Sequence, residues 1–314
     1  MSRYQEIDLS KTRRFPFEQR STKVSRTELT QFNFESNEFS AFLESLPNFL
    51  SAKDFKEIVA LTQEALKNRR KIFVMMGAHT IKVGLSPLII RLMEEGVISC
   101  LSLNGAGVIH DFEMGMFGRT SEDVAQNLEN GSFGYVEETG VQINEALTRG
   151  AKEKLGYGEA VGEFMIKNQA PYKGESLLVR ALELNIPVTV HSAIGTETIH
   201  QHPETEGEAL GATSYRDFKI LCHELTQLEN GMVFLYGSAV ILPEVFLKAL
   251  TVVRNIGHHV EKFTSVNFDM IRHYRPTENV VQRPTRTGGR GYTLIGHHEI
   301  MIPLFWQSVF CQKG

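Results

Sequence analysis

Apolar residues in this chain fall into short unbroken runs set between longer stretches of helical spacing. Ile72-Phe73-Val74-Met75-Met76 is the clearest run, and Gly77 ends it. Five consecutive apolar positions leave no polar face, which predicts a strand buried on both sides, as in a parallel sheet. Further strand-like runs are Val97–Leu103, Ile186–Val190, Met232–Tyr236, Phe263–Phe268 and Tyr292–Ile295. Helical candidates alternate with them at Pro87–Glu95, Ser121–Glu129, Glu137–Leu155, Glu159–Asn168, Ser176–Leu184, Ser214–Glu229, Leu242–Asn255 and Glu299–Phe310. Strands alternating with helices build right-handed βαβ crossovers, so the expected class is α/β with a doubly wound, mainly parallel sheet. Upstream, Phe39, Phe42, Leu43 and Leu46, then Phe55, Ile58, Val59, Leu61 and Leu66, fall near helical spacing. Residues 1–69 are therefore expected to form a partly helical N-terminal arm, and residues 70–314 a single α/β domain.

Composition narrows the class without changing it. Of 314 residues, 42% are hydrophobic and 22% charged, enough apolar material for a full core. A formal net charge of −4 lacks the basic excess of a nucleic-acid binder. Cys100, Cys222 and Cys311 are scattered and show no CxxC spacing, which signals neither a disulfide framework nor a zinc site and suits a reducing compartment. Met1–Arg26 is polar with basic clusters such as Lys11-Thr12-Arg13-Arg14, unlike the apolar core of a secretory signal. No run of about 18 apolar residues occurs, so a cytoplasmic protein without a membrane span is expected.

In open parallel sheets ligands bind beyond the carboxyl ends of the strands, so the residues following each strand carry the candidate chemistry. The first strand leads into Gly77–Gly84 with His79, Thr80 and Lys82; the second leads into Asn104-Gly105-Ala106-Gly107 and on to His110, Asp111 and Glu113. The later strands lead into His191-Ser192, Gly237-Ser238-Ala239, Asp269 and Gly296-His297-His298-Glu299. Asn104–Gly107 matches half of a dinucleotide fingerprint, but the third glycine is missing and the acidic residue about 20 positions on, Asp123, lies in a helical stretch. Arg283–Gly291 combines Arg283, Arg286 and Arg290 with glycines, as an anion cradle or a solvated loop would. His297, His298 and Glu299 open the last helix, where the dipole favours a neutral imidazole suited to acid–base work. Lys82, flanked by Ile81 and Val83, is a candidate amine for Schiff-base chemistry. His200-Gln201-His202 has no helical i,i+4 pairing, and no metal is assigned.

The order of these segments, with Gly237-Ser238-Ala239-Val240 and the terminal Ile302-Pro303-Leu304 helix, resembles the deoxyhypusine synthase family over about residues 70 to 310. That resemblance implies a Rossmann-like fold, an NAD-dependent homotetramer, and transfer of an aminobutyl group from spermidine to a protein lysine. It implies NAD contacts from the Gly77–Gly84 segment with His79 and Thr80, from Asn104, Gly105, Ala106 and Gly107, from Gly237, Ser238 and Ala239, and from Asn267; Gly296 joins this set. The polyamine-handling residues depart from the family. Its catalytic lysine falls at Thr293, its active-site histidine at Glu244, and two aspartates fall at Gly195 and His200. Threonine cannot form the imine that the lysine forms, so deoxyhypusine synthesis itself is not expected.

Three readings follow. In the first, the chain is an NAD-binding, deoxyhypusine-synthase-like enzyme that dehydrogenates a small amine-bearing substrate, with transfer or elimination to follow. Lys82, His110, His297, His298 and Glu299 would be catalytic, and His191, His200, Glu244, Asp269 and Arg290 would bind substrate. The second is a metal-assisted hydrolase using some of His79, His110, Asp111, His191 and the His297–Glu299 cluster. The third is a non-catalytic NAD-binding sensor.

Overall fold

The computed structural model describes residues 38–311. Six strands, β1 (Ile72–Met76), β2 (Cys100–Asn104), β3 (Val188–His191), β4 (Met232–Tyr236), β5 (Thr264–Asp269) and β6 (Arg290–Ile295), form one sheet in the order β3-β2-β1-β4-β5-β6. All five pairings are parallel. Two helices precede the sheet, α1 (Phe39–Ser45) and α2 (Leu50–Lys67), and α3 (His79–Lys82) and α4 (Ser86–Glu94) link β1 to β2. The long β2–β3 crossover holds α5 (Gly105–Phe117), α6 (Val124–Glu129), α7 (Glu137–Glu153), α8 (Tyr157–Lys167) and α9 (Leu177–Glu183). After β3 come α10 (Gly207–Leu225), α11 (Ile241–Asn255), α12 (Tyr274–Pro276), a π-helix at Thr277–Gln282, and α13 (His298–Phe310).

Burial explains the unbroken apolar run of β1. Ile72, Val74 and Met76 pack with α2, α4 and α13 on one face, while Phe73 and Met75 pack with α10 and α11 on the other. Each such side chain contributes about 1.5–3 kcal/mol on leaving water, so neither face tolerates a polar residue. The expected α/β, doubly wound, parallel architecture is the one observed. Part of the expected 1–69 arm, residues 1–37, lies outside the described residues. Within it, α2 buries Phe55 and Ile58 in the same core as the sheet. Among the described residues no helix is long and apolar enough to cross a membrane.

Two of the segments that follow strands are helical. Gly77–Gly84 contains α3, and Asn104–Gly107 is the start of α5, with the Asn104 side chain accepting the Gly107 amide at 3.0 Å. A capping asparagine satisfies the first turn of a helix directly after the strand, so no loop intervenes. The expected Ser121–Glu129 helix is shorter, because Asp123 caps it by accepting the Gln126 amide at 3.1 Å. Residues 272–291 contain α12 and the π-helix.

Two buried carboxyl groups tie the β2–β3 crossover together. Asp111 on α5 accepts from Ser176 Oγ and from the Leu177 and Leu178 amides at 2.6, 2.7 and 3.2 Å, which fastens the N-terminus of α9. Asp217 on α10 accepts the Gly158 and Val190 amides at 3.1 and 2.7 Å through Oδ2, joining α8 to the edge strand β3. Burial raises the Asp217 pKa from 3.8 to about 8, and Oδ1 has no partner, so at neutral pH the proton sits there. The folded state then holds a proton that the unfolded chain releases, and this group's contribution to stability falls as pH rises from near 3.8 to about 8. Urea unfolding of Asp217→Asn, which keeps the carbonyl acceptor, should therefore show a flatter pH profile. The stability difference between wild type and variant should shrink by roughly 1 kcal/mol per pH unit across that window.

Candidate active site

At the carboxyl end of β2 a cavity of about 550 Å³ opens between α5, the segment 117–139 and the loop after β3. Lys82, Ala106 and His110 line it with Glu113, Thr120, Glu138 and Glu197. His110 and Glu113 lie on one face of α5 because i and i+3 are neighbours on a helix. His110 Nδ1 is 2.6 Å from Thr120 Oγ1, and Thr120 donates to Glu113 Oε2 at 2.5 Å. A second hydroxyl, Thr139, donates to Glu113 Oε1 at 3.1 Å. The single Thr120 proton goes to the carboxylate, so the hydroxyl accepts from Nδ1–H and the imidazole keeps its lone pair on Nε2. Burial, followed by the charge of Lys82, lowers the His110 pKa to about 4. His110 is therefore a neutral imidazole with one assigned tautomer and an anionic relay behind it.

The opposite wall is Glu197, nearly buried in the loop after β3. Its carboxylate accepts from Ser192 Oγ at 3.1 Å and from the Ala193 amide at 3.2 Å, and His200 Nε2 lies 3.2 Å away. The Gly195 amide donates to His200 Nδ1 at 3.1 Å, so that ring carries its hydrogen on Nε2 and cannot take a proton from Ser192, 3.3 Å away. Ser192, His200 and Glu197 thus brace the loop and do not form a nucleophilic triad. The carboxylate lies against Gly105, where any Cβ would overlap it, so Glu197 covers the N-terminus of α5. Negative charge there is favoured by the helix dipole.

The other candidates lie elsewhere along the strand ends. His298 is buried at the start of α13; Nε2 lies 3.1 Å from the Phe268 carbonyl, its ring is 5.5 Å from that of His79, and Nδ1 has no partner. Burial lowers its pKa. His297 and Glu299 are exposed and 3.8 Å apart. Neither they nor His298 line the cavity of Lys82 and His110, so the five catalytic candidates fall into two groups. Thr80 donates to the Gly77 carbonyl at 2.7 Å, and Ser238 Oγ accepts the Leu242 amide at 3.3 Å. Gly237 has φ +58°, and a side chain on Gly77 would collide with its carbonyl, so backbone and the His298 ring fill the crevice between β1 and β4. Gly296 follows β6, where its amide donates to the Asp269 carbonyl at 3.0 Å.

Asn267 is fully buried on β5 with both amide atoms unpartnered, and Asp269 Oδ2 at the strand's end is unpartnered too, with His273 Nε2 at 4.0 Å. His191 ends β3 in a hydrogen-bond chain with Thr189 and Ser102 at 3.1 and 2.8 Å, and burial lowers its pKa to about 3. Glu244 on α11 bonds Asn279 at 2.8 Å and pairs with Arg275 and Lys248. Arg290 starts β6 at the opposite end of the sheet, paired with Glu57 at 2.7 Å. Among the described residues no group of three or more His, Cys, Asp or Glu is arranged to hold a metal ion. Asp111 points instead into the core, at α9.

Thr120, Thr139 and Glu197 were not singled out by the sequence, and Glu113 only as part of a segment. The signal for Glu113 is the His-x-x-Glu spacing, which has meaning only once 104–117 is known to be helix.

No family model and no curated protein matches the sequence. Solved structures do resemble it. A protein assigned as a deoxyhypusine synthase from Entamoeba histolytica superposes with a TM-score of 0.53 at 10% identity, covering 90% of this chain and 98% of that one. A LOR/SDH protein from Methanococcus maripaludis S2 gives 0.49 at 16% identity, over 86% of this chain and 69% of its own. ArgZ, an arginine dihydrolase of the ornithine-ammonia cycle in Cyanobacteria, gives 0.48 at 16% identity over 84% of this chain; the match spans 34% of that longer enzyme. At 10% identity the likeness to the first of these is one of fold, and it extends over nearly the whole length of that protein.

Proposed function

We propose that this chain is an NAD-binding enzyme that removes hydrogen from a small amine-bearing substrate held in the His110 cavity. The observation that carries this reading is the Glu113–Thr120–His110 relay opening into an acidic cavity at the carboxyl edge of a sheet whose strand order suits dinucleotides. The cavity wall holds Glu113, Glu122, Glu138 and Glu197 against Lys82 and Arg119, an excess of negative charge that suits a cationic substrate. The homotetramer implied by the family resemblance and a cytoplasmic setting belong to the same proposal. Among the described residues no arranged ligand set supports a metal-assisted hydrolase.

The residues fit NAD in part. The N-terminus of α5 suits an anion, while the unpartnered Asn267 amide and His298 Nδ1 are enclosed and do not line the His110 cavity. Glu197, however, stands on the α5 seat, so a pyrophosphate must displace it. NAD, when bound, supplies the acceptor for hydride from the carbon bearing the amine. The protein's own part is proton handling. Glu138 and Glu197 hold the substrate's ammonium, and His110 Nε2 takes a proton from it, leaving a nitrogen lone pair to support loss of hydride. Thr120, held by the Glu113 carboxylate, fixes the hydrogen on Nδ1, so the proton is taken at Nε2. Lys82, on the same wall, is the amine placed to take up the imine product: once unprotonated, its nitrogen adds to the imine carbon and ammonia leaves, a role Thr293 cannot fill.

Diamines, guanidino compounds and amino acids offered with NAD should yield NADH with at least one member; a complete absence of NADH and of NAD binding would sink the proposal. With that substrate, His110→Ala should lower kcat/KM by about 10²-fold or more. The acid limb of the wild-type profile should fall near pH 4, the His110 value, and Thr120→Val should move that limb and lower the rate. An acid limb near 6.5 unaffected by Thr120→Val would assign the base to another group. Glu197→Gln should bind NAD about tenfold or more tightly by calorimetry, because a like charge leaves the phosphate seat; unchanged affinity would place the nucleotide elsewhere.

A further inference from the structure

Arg290 belongs to the motif that reads as an anion cradle, yet the fold carries it to the amino end of β6, away from His110. There it borders a second cavity, of about 320 Å³, at the amino ends of β4, β5 and β6. We propose that this cavity is a binding site for a small phosphate-bearing anion.

Strand register builds the site. Met232, Thr264 and Arg290 lie side by side at the starts of their strands, so the residues just before them, Asn230, Lys262 and Gly289, meet across one opening. Arg70, leaving α2, closes it from the side. The turn into β6 depends on glycine: Gly288 has φ +122°, and a Cβ on Gly289 would sit 2.5 Å from the Phe263 carbonyl. Those glycines bring Arg290 to the opening instead of merely loosening a loop.

The charges are left unbalanced. Arg70, Lys262 and Arg290 face one lining carboxylate, Glu64. Glu57 holds one Arg290 nitrogen at 2.7 Å, while neither Arg70 nor Lys262 forms an ion pair among the described residues. Crowded cations repel, and an anion with two charges relieves that repulsion better than a carboxylate with one. The α2 dipole opposes an anion here, but its last carbonyls are already occupied: Glu64, Ala65 and Leu66 accept the amides of Asn68, Arg70 and Arg69 at 2.8–3.0 Å. The Asn68 and Asn230 carboxamides add neutral donors. The volume is near the lower limit of small-molecule sites, roughly 300 Å³, which suits a phosphate monoester and not a dinucleotide.

The test is titration of the full chain with inorganic phosphate, and with acetate at matched ionic strength, followed by amide NMR. Phosphate should shift the Asn230, Gly288 and Gly289 amides saturably, and acetate should do so much less. Arg70→Ala/Lys262→Ala removes two exposed side chains and should weaken phosphate binding by about tenfold or more, whereas His110→Ala should leave it unchanged. Should the double variant fail to fold, Lys262→Ala alone should still weaken binding several-fold. Absence of saturable shifts in this turn, equal response to acetate, or unchanged affinity in the variants would overturn the proposal.

Discussion

Every strand of the sheet runs in the same direction, and most of what this protein can do depends on that constraint. Parallel neighbours cannot be joined by tight turns, so each connection crosses a face of the sheet and covers it. The central strands are consequently buried on both sides, which is why β1 contains no polar residue. The same constraint puts six carboxyl ends along one edge and six amino ends along the other. Side chains far apart in sequence, such as Lys82, His110 and Glu197, meet at the first edge because each follows a strand end or the helix that starts there.

Helix α5 turns this placement into chemistry. Starting directly after β2 under the Asn104 cap, it presents His110 and Glu113 to the cavity and Asp111 to the core. Two carboxyl groups two residues apart therefore do different work. Asp111 is fully enclosed and anchors α9, and burial pushes its pKa up to about 6. Glu113 accepts hydrogen bonds from two hydroxyls and orients an imidazole through one of them. Environment separates the roles, since the residue types are nearly the same.

Glu197 connects the two halves of the site. Its loop is braced by Ser192, Ala193 and His200, and its carboxylate rests on the first turn of α5, where Gly105 alone leaves room. One side chain thus covers a helix N-terminus and contributes negative charge to the cavity. At the opposite edge the balance reverses, with Arg70, Lys262 and Arg290 gathered around the strand starts. The sheet separates an acidic cavity from a basic one.

The alternation of apolar runs with helical spacing determined the fold class and located all six strands to within a few residues, because the burial of β1 to β5 is written directly into residue type, while the largely exposed β6 was marked only by its short Tyr292–Ile295 run. It also drew attention to His110 and Lys82, which follow strand ends. Tertiary structure alone decided their partners. Thr120 and Glu197 reach His110's cavity through the long crossover and the loop after β3, and no local pattern encodes such meetings. Tertiary structure also divided the histidines, leaving His110 beside a cavity and enclosing His191 and His298 within the protein. It sent Arg290 to the far edge, since a residue at a strand's start and one at its end are opposite in space however close they lie in sequence. Whether a polar residue works or merely packs depends on what surrounds it, and those surroundings come from distant segments that only the folded chain brings together.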